Sequence, residues 1–202
     1  MDHSLTINVS VDEPLLLAAR KGDPHAFQQL YEQQAPVVFR VAFRLLGNRL
    51  DAEDVTQEVF VTLHRRFGTF DFRSSFQTWC YRITVNICYD KMRKQQRRAV
   101  YQAGYVEDDN GVPETVQASR QSEPVRQVLL QDLQRFVEQA LARLHPDLRT
   151  ALVLKEIEEL SYQEIATIMA CSQGTVASRL ARARQQVAHY LRRAGIDATY
   201  LG

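Results

Sequence analysis

Cysteine is scarce in this chain. Cys80, Cys88 and Cys171 are the only three in 202 residues, too few and too widely spaced for a disulfide framework or a zinc site. They read as reduced packing thiols. Long apolar runs are missing too: none approaches the ~20 residues that a membrane span requires. The N-terminus also lacks the basic-then-apolar order of a secretory signal, so a cytoplasmic protein without membrane insertion is expected. No glycine-rich phosphate loop occurs, and His3, His25, His64, His145 and His189 lie apart without ligand spacing. No catalytic group, metal or cofactor is therefore expected. Nor is there an excess of charge, since the formal net is only +1.

That near-zero sum conceals a segregated distribution. Arg82, Lys91, Arg93, Lys94, Arg97 and Arg98 form one basic block, and Arg179, Arg182, Arg184, Arg192 and Arg193 form a second. The acidic Glu107-Asp108-Asp109 lies between them. Local charge, not the sum, is what a phosphate feels.

The second block sits in the most informative stretch, Leu160 to Arg184. Ser161 followed by Glu164 is a capping-box signature that starts a helix, along which Ile165, Ile168 and Met169 share a stripe. After the turn Ala170-Cys171-Ser172, with Ser172 as N-cap, Val176, Leu180, Ala183, Val187 and Leu191 recur at helical spacing and face inward. Thr175, Ser178, Arg179, Arg182 and Gln186 occupy the other side. A short turn followed by a polar, acid-free second helix suits a helix-turn-helix that enters the major groove.

The remainder reads as helices as well. Residues 1–12 form a tail. Asp12 caps a helix that Gly22 ends, and Asp23-Pro24 starts a long one that Pro36 should kink or interrupt. Asp51 is expected to cap a third, with core stripe Val55, Val59, Phe60 and Leu63. Asp54, Gln57 and Glu58 point away from that stripe, as a solvated face or a partner surface. Phe70-Asp71-Phe72-Arg73-Ser74-Ser75-Phe76 is an aromatic loop whose rings are either core plugs or a pocket for an unstacked base. The helix from Phe76 to Arg98 packs in its first half (Trp79, Ile83, Ile87) and is basic in its second. Asn86 is either a structural amide or a reader of a base edge. The pattern fails from about Ala99 to Pro124, where turn residues, Gln, Ser and Glu dominate. Helical period resumes from Val128 to Leu144 and again after His145-Pro146. The fold class is all-α: two small helical domains, 13–99 and 127–194, joined by a flexible acidic linker over 100–126, with a C-terminal tail at 195–202.

Four segments together resemble the extracytoplasmic-function group of bacterial RNA polymerase sigma factors: Asp51 to Phe60, Phe76 to Asn86, Leu144 to Arg149, and Leu160 to Arg184. The likeness extends from about Glu13 to Arg193. It implies a region 2 helical bundle, a linker and a region 4 helix-turn-helix, with no region 3 between. By that resemblance Asp54, Gln57 and Glu58 dock on the β′ clamp helices of core polymerase, with the β subunit as a further partner. Phe70, Phe72, Ser74, Phe76 and Asn86 recognise the −10 element, the loop holding a flipped base. Lys91, Arg93, Lys94, Arg97 and Arg98 follow its backbone. Ser172, Gln173, Gly174, Thr175, Ser178, Arg179 and Arg182 take the −35 element, Gln173 and Gly174 lying against phosphate at a helix start. Ala177 stands where relatives often carry a basic residue. Promoter DNA and an anti-sigma factor are the other partners implied.

Two other classes compete. A metal-assisted hydrolase would need a ligand or nucleophile constellation that the sequence does not display. A dimeric helix-turn-helix repressor would use the C-terminal half alone on a palindromic operator, leaving the first basic block and the aromatic loop unexplained.

Overall fold

The computed structural model describes residues 11–72, 74–103 and 135–194, the side chains of 98–103 excepted. Its helices are α1 (Glu13–Arg20), α2 (Pro24–Leu46), α3 (Arg49–Arg66), α4 (Phe76–Ala103), α5 (residues 135–142), α6 (Pro146–Glu156), α7 (Tyr162–Ile168) and α8 (Gln173–Arg193). A 3-10 turn, Phe67–Thr69, leads out of α3. No strand occurs among the described residues.

Helix boundaries follow local chemistry. Asp23 caps α2, its carboxylate accepting from the amides of His25 and Ala26. Gly47, at φ 69°, ends it in the left-handed conformation that a residue without Cβ adopts freely. Asn48, rather than Asp51, caps α3: its side chain accepts from the Asp51 amide at 3.0 Å, and Asp51 falls in the first turn. Pro36 does not interrupt α2. The carbonyl it leaves unbonded belongs to Glu32, four residues back, and both residues are exposed to water. Further on, α4 runs to Ala103, past the expected domain edge. The expected linker beyond it, like residues 128–134 and both tails, lies outside the described residues, apart from 11–12.

The first four helices form a bundle in which α2 packs on α1, α3 and α4. Leu30, Val41, Leu45, Val55, Val59 and Leu63 are fully buried at its centre. In the second half α8 lies across α6 and α7, with Val153, Ile165, Ile168, Val176 and Leu180 buried between them. The two halves do not stand apart. Helix α2 also packs on α6, and α4 on α7, so that one apolar core runs through both.

Polar contacts cross the same seam. Glu158, with only 2% of its side chain exposed, accepts from Arg40 Nε (2.8 Å), Arg40 Nη2 (2.7 Å) and the Tyr81 hydroxyl (2.6 Å). The Glu158 hydrogen bond holds the Arg40 guanidinium pKa above its ordinary value. Burial, reinforced by the Glu158 carboxylate, pushes the Tyr81 phenol up as well. Arg149 donates to the Leu45 carbonyl at the end of α2 (2.6 Å) and to the Ala142 carbonyl.

Ala170 ends α7 at φ 50°, a conformation that costs a residue with Cβ about 1–2 kcal/mol. It redirects the chain so that Cys171 and the N-cap Ser172 lead into α8. Ala170→Gly is therefore expected to stabilise the fold by up to about 1 kcal/mol, because relief of strain exceeds the entropy given to the unfolded chain. A lower melting temperature in thermal denaturation would contradict this.

Candidate nucleic-acid interface

The helix-turn-helix is built from both caps that its sequence promises. Ser161 Oγ accepts from the Glu164 amide while Glu164 accepts from the Ser161 amide, completing the capping box. Ser172 Oγ accepts from the Thr175 amide at 3.1 Å and fixes the start of α8. Val176, Leu180 and Ala183 are buried, which turns Ser178, Arg182 and Gln186 outward. Gln173 and Gly174 are exposed in the first turn, where free amides and the helix dipole favour an anion.

The two arginines of that face differ. Arg182 is exposed and pairs with no acid among the described residues. Arg179 is 23% exposed; it donates to Asp147 Oδ2 at 2.6 Å and reaches Cys171 Sγ at 3.6 Å. It braces α8 against the start of α6. Arg184 is likewise engaged, with Glu156 at 2.6 Å.

On the first half, the expected aromatic loop divides its rings. Phe70 and Phe76 are buried with Phe67, and Trp79 stacks on Phe70 at 5.0 Å between centroids. Phe72 is 36% exposed, at φ 60°, with its ring 4.7 Å from Phe70 and Arg20 above it at 5.5 Å. A bulky residue held at positive φ is uncommon, and such strain concentrates at functional sites. Phe70, Phe72 and Phe76 line a cavity of about 550 Å³ together with Ser74, Ser75 and Gln77. Its wall also includes Glu13 and Leu16 from α1, and Glu164 from α7. Arg73 lies outside the described residues.

Along α4, Arg82, Asn86, Arg93 and Arg97 are exposed at spacings of four, seven and four residues and share one ridge, in which the exposed Asp90 stands 3.9 Å from Arg93. Lys94 is exposed beside them, and the Arg98 side chain lies outside the described residues. Lys91 is different. It sits 2.8 Å from Asp51 and 3.1 Å from Asp54. Burial draws its pKa down, but the hydrogen bonds to Asp51 and Asp54 outweigh burial and leave it raised.

The acidic face of α3 is open. Asp54 keeps 73% of its side chain exposed despite Lys91, and Gln57 and Glu58 are exposed next to it. Sequence reasoning missed the apolar ends of this stripe: Leu50 (71% exposed) and Val61 (48%) flank the acids on the same side. Their signal was available, because both fall off the period of Val55, Val59 and Leu63. The α1 wall of the cavity had no such signal, since it depends on how α1 folds back over the loop.

Cys80 and Cys88 are buried, and burial pushes both thiols up to about 12. Against a reference of 9.0, that lowers the thiolate fraction at pH 8 by on the order of a thousandfold. Iodoacetamide should therefore label Cys171 on the native chain and leave the other two unmodified until denaturant is added. Mass spectrometry of tryptic fragments checks this. Among the described residues no cluster of His, Cys, Asp and Glu could hold a metal ion, and no helix is long and apolar enough to cross a membrane.

Comparison with known proteins follows the same division of the chain. The family description Sigma-70 region 2 matches residues 30–98, and Sigma-70, region 4 matches residues 137–187. Two such segments in this order define a protein of the sigma-70 class. The chain is 34% identical to the RNA polymerase sigma-H factor of Pseudomonas aeruginosa, across 87% of this chain and 91% of that one. It is also 34% identical to the ECF RNA polymerase sigma-E factor of Escherichia coli K12, across 87% and 92%. Among solved structures, the sigma factor RpoE from Bartonella quintana, in complex with the anti-sigma factor NepR, superposes with a TM-score of 0.63 at 27% identity, over 82% of this chain and 96% of that one. The chain belongs to the extracytoplasmic-function group of the sigma-70 family of RNA polymerase sigma factors.

Proposed function

We propose that this chain binds core RNA polymerase through α3 and directs it to promoters with two elements, reading −35 through α8 and capturing bases of −10 at the aromatic loop and α4. The observation that carries the reading is the pairing of an exposed aromatic, Phe72, at a lined cavity with an exposed ridge of Asn86, Arg93 and Arg97 on the next helix. A duplex reader has no use for such a cavity; a protein that takes a base out of the stack does.

Each part has a physical task. At −35, Arg182 and Ser178 face the base edges from α8 while Gln173, Gly174 and the Ser172–Thr175 cap approach phosphate. Arg179, tied to Asp147, reaches DNA only from a fixed position, so its pair sets the pitch of α8 as well as any contact it makes. At −10, unstacking a base costs a few kcal/mol, and stacking on an aromatic returns about 1–3 kcal/mol. Phe70 and Phe76 form the floor, Phe72 the movable face, and Ser74 a polar contact. Arg93, Lys94, Arg97 and Arg98 then follow the strand backbone, and Lys91 joins them to the extent that Asp51 and Asp54 release it. Polymerase contacts supply the remainder of the opening energy.

Core polymerase is the first partner, with α3 meeting the β′ clamp helices through Asp54, Gln57 and Glu58 and through the apolar Leu50 and Val61. An anti-sigma factor is the second, on the support of the solved relative in complex with one. Changing both Asp54 and Glu58 to Lys tests the first assignment. Core affinity should fall by at least about tenfold, the order expected when close charge pairs at an interface turn repulsive, while helical content is unchanged. Unaltered affinity would refute the α3 surface.

A further inference from the structure

The aromatic cavity has a chemistry that its rings do not account for. Its wall holds acceptors and no cation: Glu13 from α1, Gln77 from α4 and Glu164 from α7 line it, and no Lys or Arg joins them. Two of its polar groups are already committed. Glu164 Oε2 accepts from the amide (2.8 Å) and the hydroxyl (2.7 Å) of Ser161, and the Ser75 hydroxyl accepts from the Thr78 amide at 3.0 Å. Glu13 and Gln77 are not. Glu13 is exposed and pairs with no cation among the described residues. Gln77 donates from Nε2 to the Tyr81 hydroxyl at 3.2 Å, while its carbonyl oxygen accepts from nothing among the described residues.

The position of Glu13 follows from how α1 lies on the loop. Seven residues separate it from Arg20, two turns of helix and about 10 Å, so the two share a face with Leu16 between them. Arg20 sits over the Phe72 ring at 5.5 Å, Leu16 is buried, and Glu13 enters the cavity wall. The helix also packs on the 3-10 turn that leads into the loop. A cation on a ring fastens one end of α1, and the other end presents a carboxylate. Glu13 falls in the first turn, where the helix dipole favours an acid without a counterion.

Stacking on phenylalanine is indifferent to the base, because every base has a π-face. The wall is not indifferent. A carboxylate only accepts hydrogen bonds, and so does an amide carbonyl. On their Watson–Crick edges adenine and cytosine offer an exocyclic amino group, and guanine offers two N–H donors. Thymine sets a keto oxygen on each side of a single N–H. Brought against Glu13, a keto oxygen gives up its water and meets no donor, which costs more than a neutral contact. The cations that suit phosphate stand elsewhere, on the α4 ridge, so the acid faces the base edge rather than the backbone.

We propose that Glu13, with the Gln77 carbonyl as a second acceptor, makes this cavity selective for an amino-bearing base (adenine, cytosine or guanine) and hostile to thymine. The inference rests on the base-capture reading given above and adds to it the class of base and the residue that chooses it.

The test uses the full chain on core polymerase. The probe is a promoter-length duplex already unpaired across −10, with that segment of the non-template strand randomised, so capture is read without opening. Molecules retained by the wild-type holoenzyme should show thymine depleted about tenfold at one position, the scale of one lost base contact. Glu13→Gln should bring thymine there to within about twofold of cytosine, because an amide offers N–H to a keto oxygen. The profile at the other positions should not change. Gln77→Leu should lower the depletion by a smaller factor; depletion left whole removes Gln77 from the selection. Each readout is a ratio between templates on one protein, so a partly folded variant does not imitate it. Equal retention of all four bases by the wild type overturns the selectivity, and depletion that survives Glu13→Gln overturns the role of Glu13. Phe72→Ala keeps the two levels apart. If it lowers retention of the whole pool while the wild type shows no bias against thymine, capture stands and this inference alone falls. If it lowers nothing, capture falls and this inference with it.

Discussion

Phe72→Ala should reduce promoter opening by roughly 5- to 150-fold while leaving assembly with core polymerase unchanged. The range is that of one base–aromatic stack, about 1–3 kcal/mol, at tenfold per 1.4 kcal/mol. Phe72 is the partly exposed ring of the loop; its neighbours Phe70 and Phe76 are buried. Truncating either of those would remove core packing and cost about 3–5 kcal/mol of stability, so a loss of activity there says nothing about bases. Truncating Phe72 costs little packing and leaves the loop's positive φ in place. The defect should appear in permanganate reactivity of unpaired thymines around −10. A promoter supplied with that region already unpaired should bind the variant less tightly too, since capture is lost along with opening. Normal permanganate reactivity with Phe72→Ala would exclude the loop from base capture.

Arg182→Ala should lower initiation from promoters that depend on −35 by a similar factor, since a good arginine–guanine pair carries about 1–3 kcal/mol of discrimination. Promoters that depend on −10 alone should be far less affected, and core binding should not change. Arg179→Ala makes the informative contrast. Its guanidinium is spent on Asp147, so its removal leaves that half-exposed carboxylate unpaired and loosens α8 from α6. It should therefore lower thermal stability as well as DNA binding, whereas Arg182→Ala should alter only the latter. If the two variants behave alike in both assays, the division of labour described for α8 is wrong.

Much of this molecule is legible in its residues. Ser161 with Glu164, Ser172, Asp23 and Gly47 announce their helix ends, because each satisfies an orphan backbone group locally. Asn48 and Asp51 are both good caps three residues apart, and only the entry angle after Gly47 decides between them. Pro36 breaks the local rule without breaking the helix: the bond it forfeits faces water, and packing of Val38, Val41 and Leu45 carries the helix through. The acidic stripe of α3 and the arginine face of α8 followed from periodicity alone. What periodicity does not encode is contact between distant segments. The Arg40–Glu158–Tyr81 cluster joins positions far apart in the chain, and nothing near Glu158 separates it from Glu156 or Glu159, both exposed. Lys91 is a similar case. As one of a run of cations it belongs with its neighbours, yet the turn of α4 places it between Asp51 and Asp54.

The central claim is that one chain reads two separated promoter elements while mounted on polymerase. Sequencing the 5′ ends of transcripts made in vitro from genomic DNA by core polymerase, with and without the purified chain, tests it most directly. The account predicts start sites that appear only with the chain and share two upstream motifs at fixed spacing, one centred near −35 and the other near −10. Transcripts no different from those of core alone, or start sites preceded by a single palindrome, would contradict it.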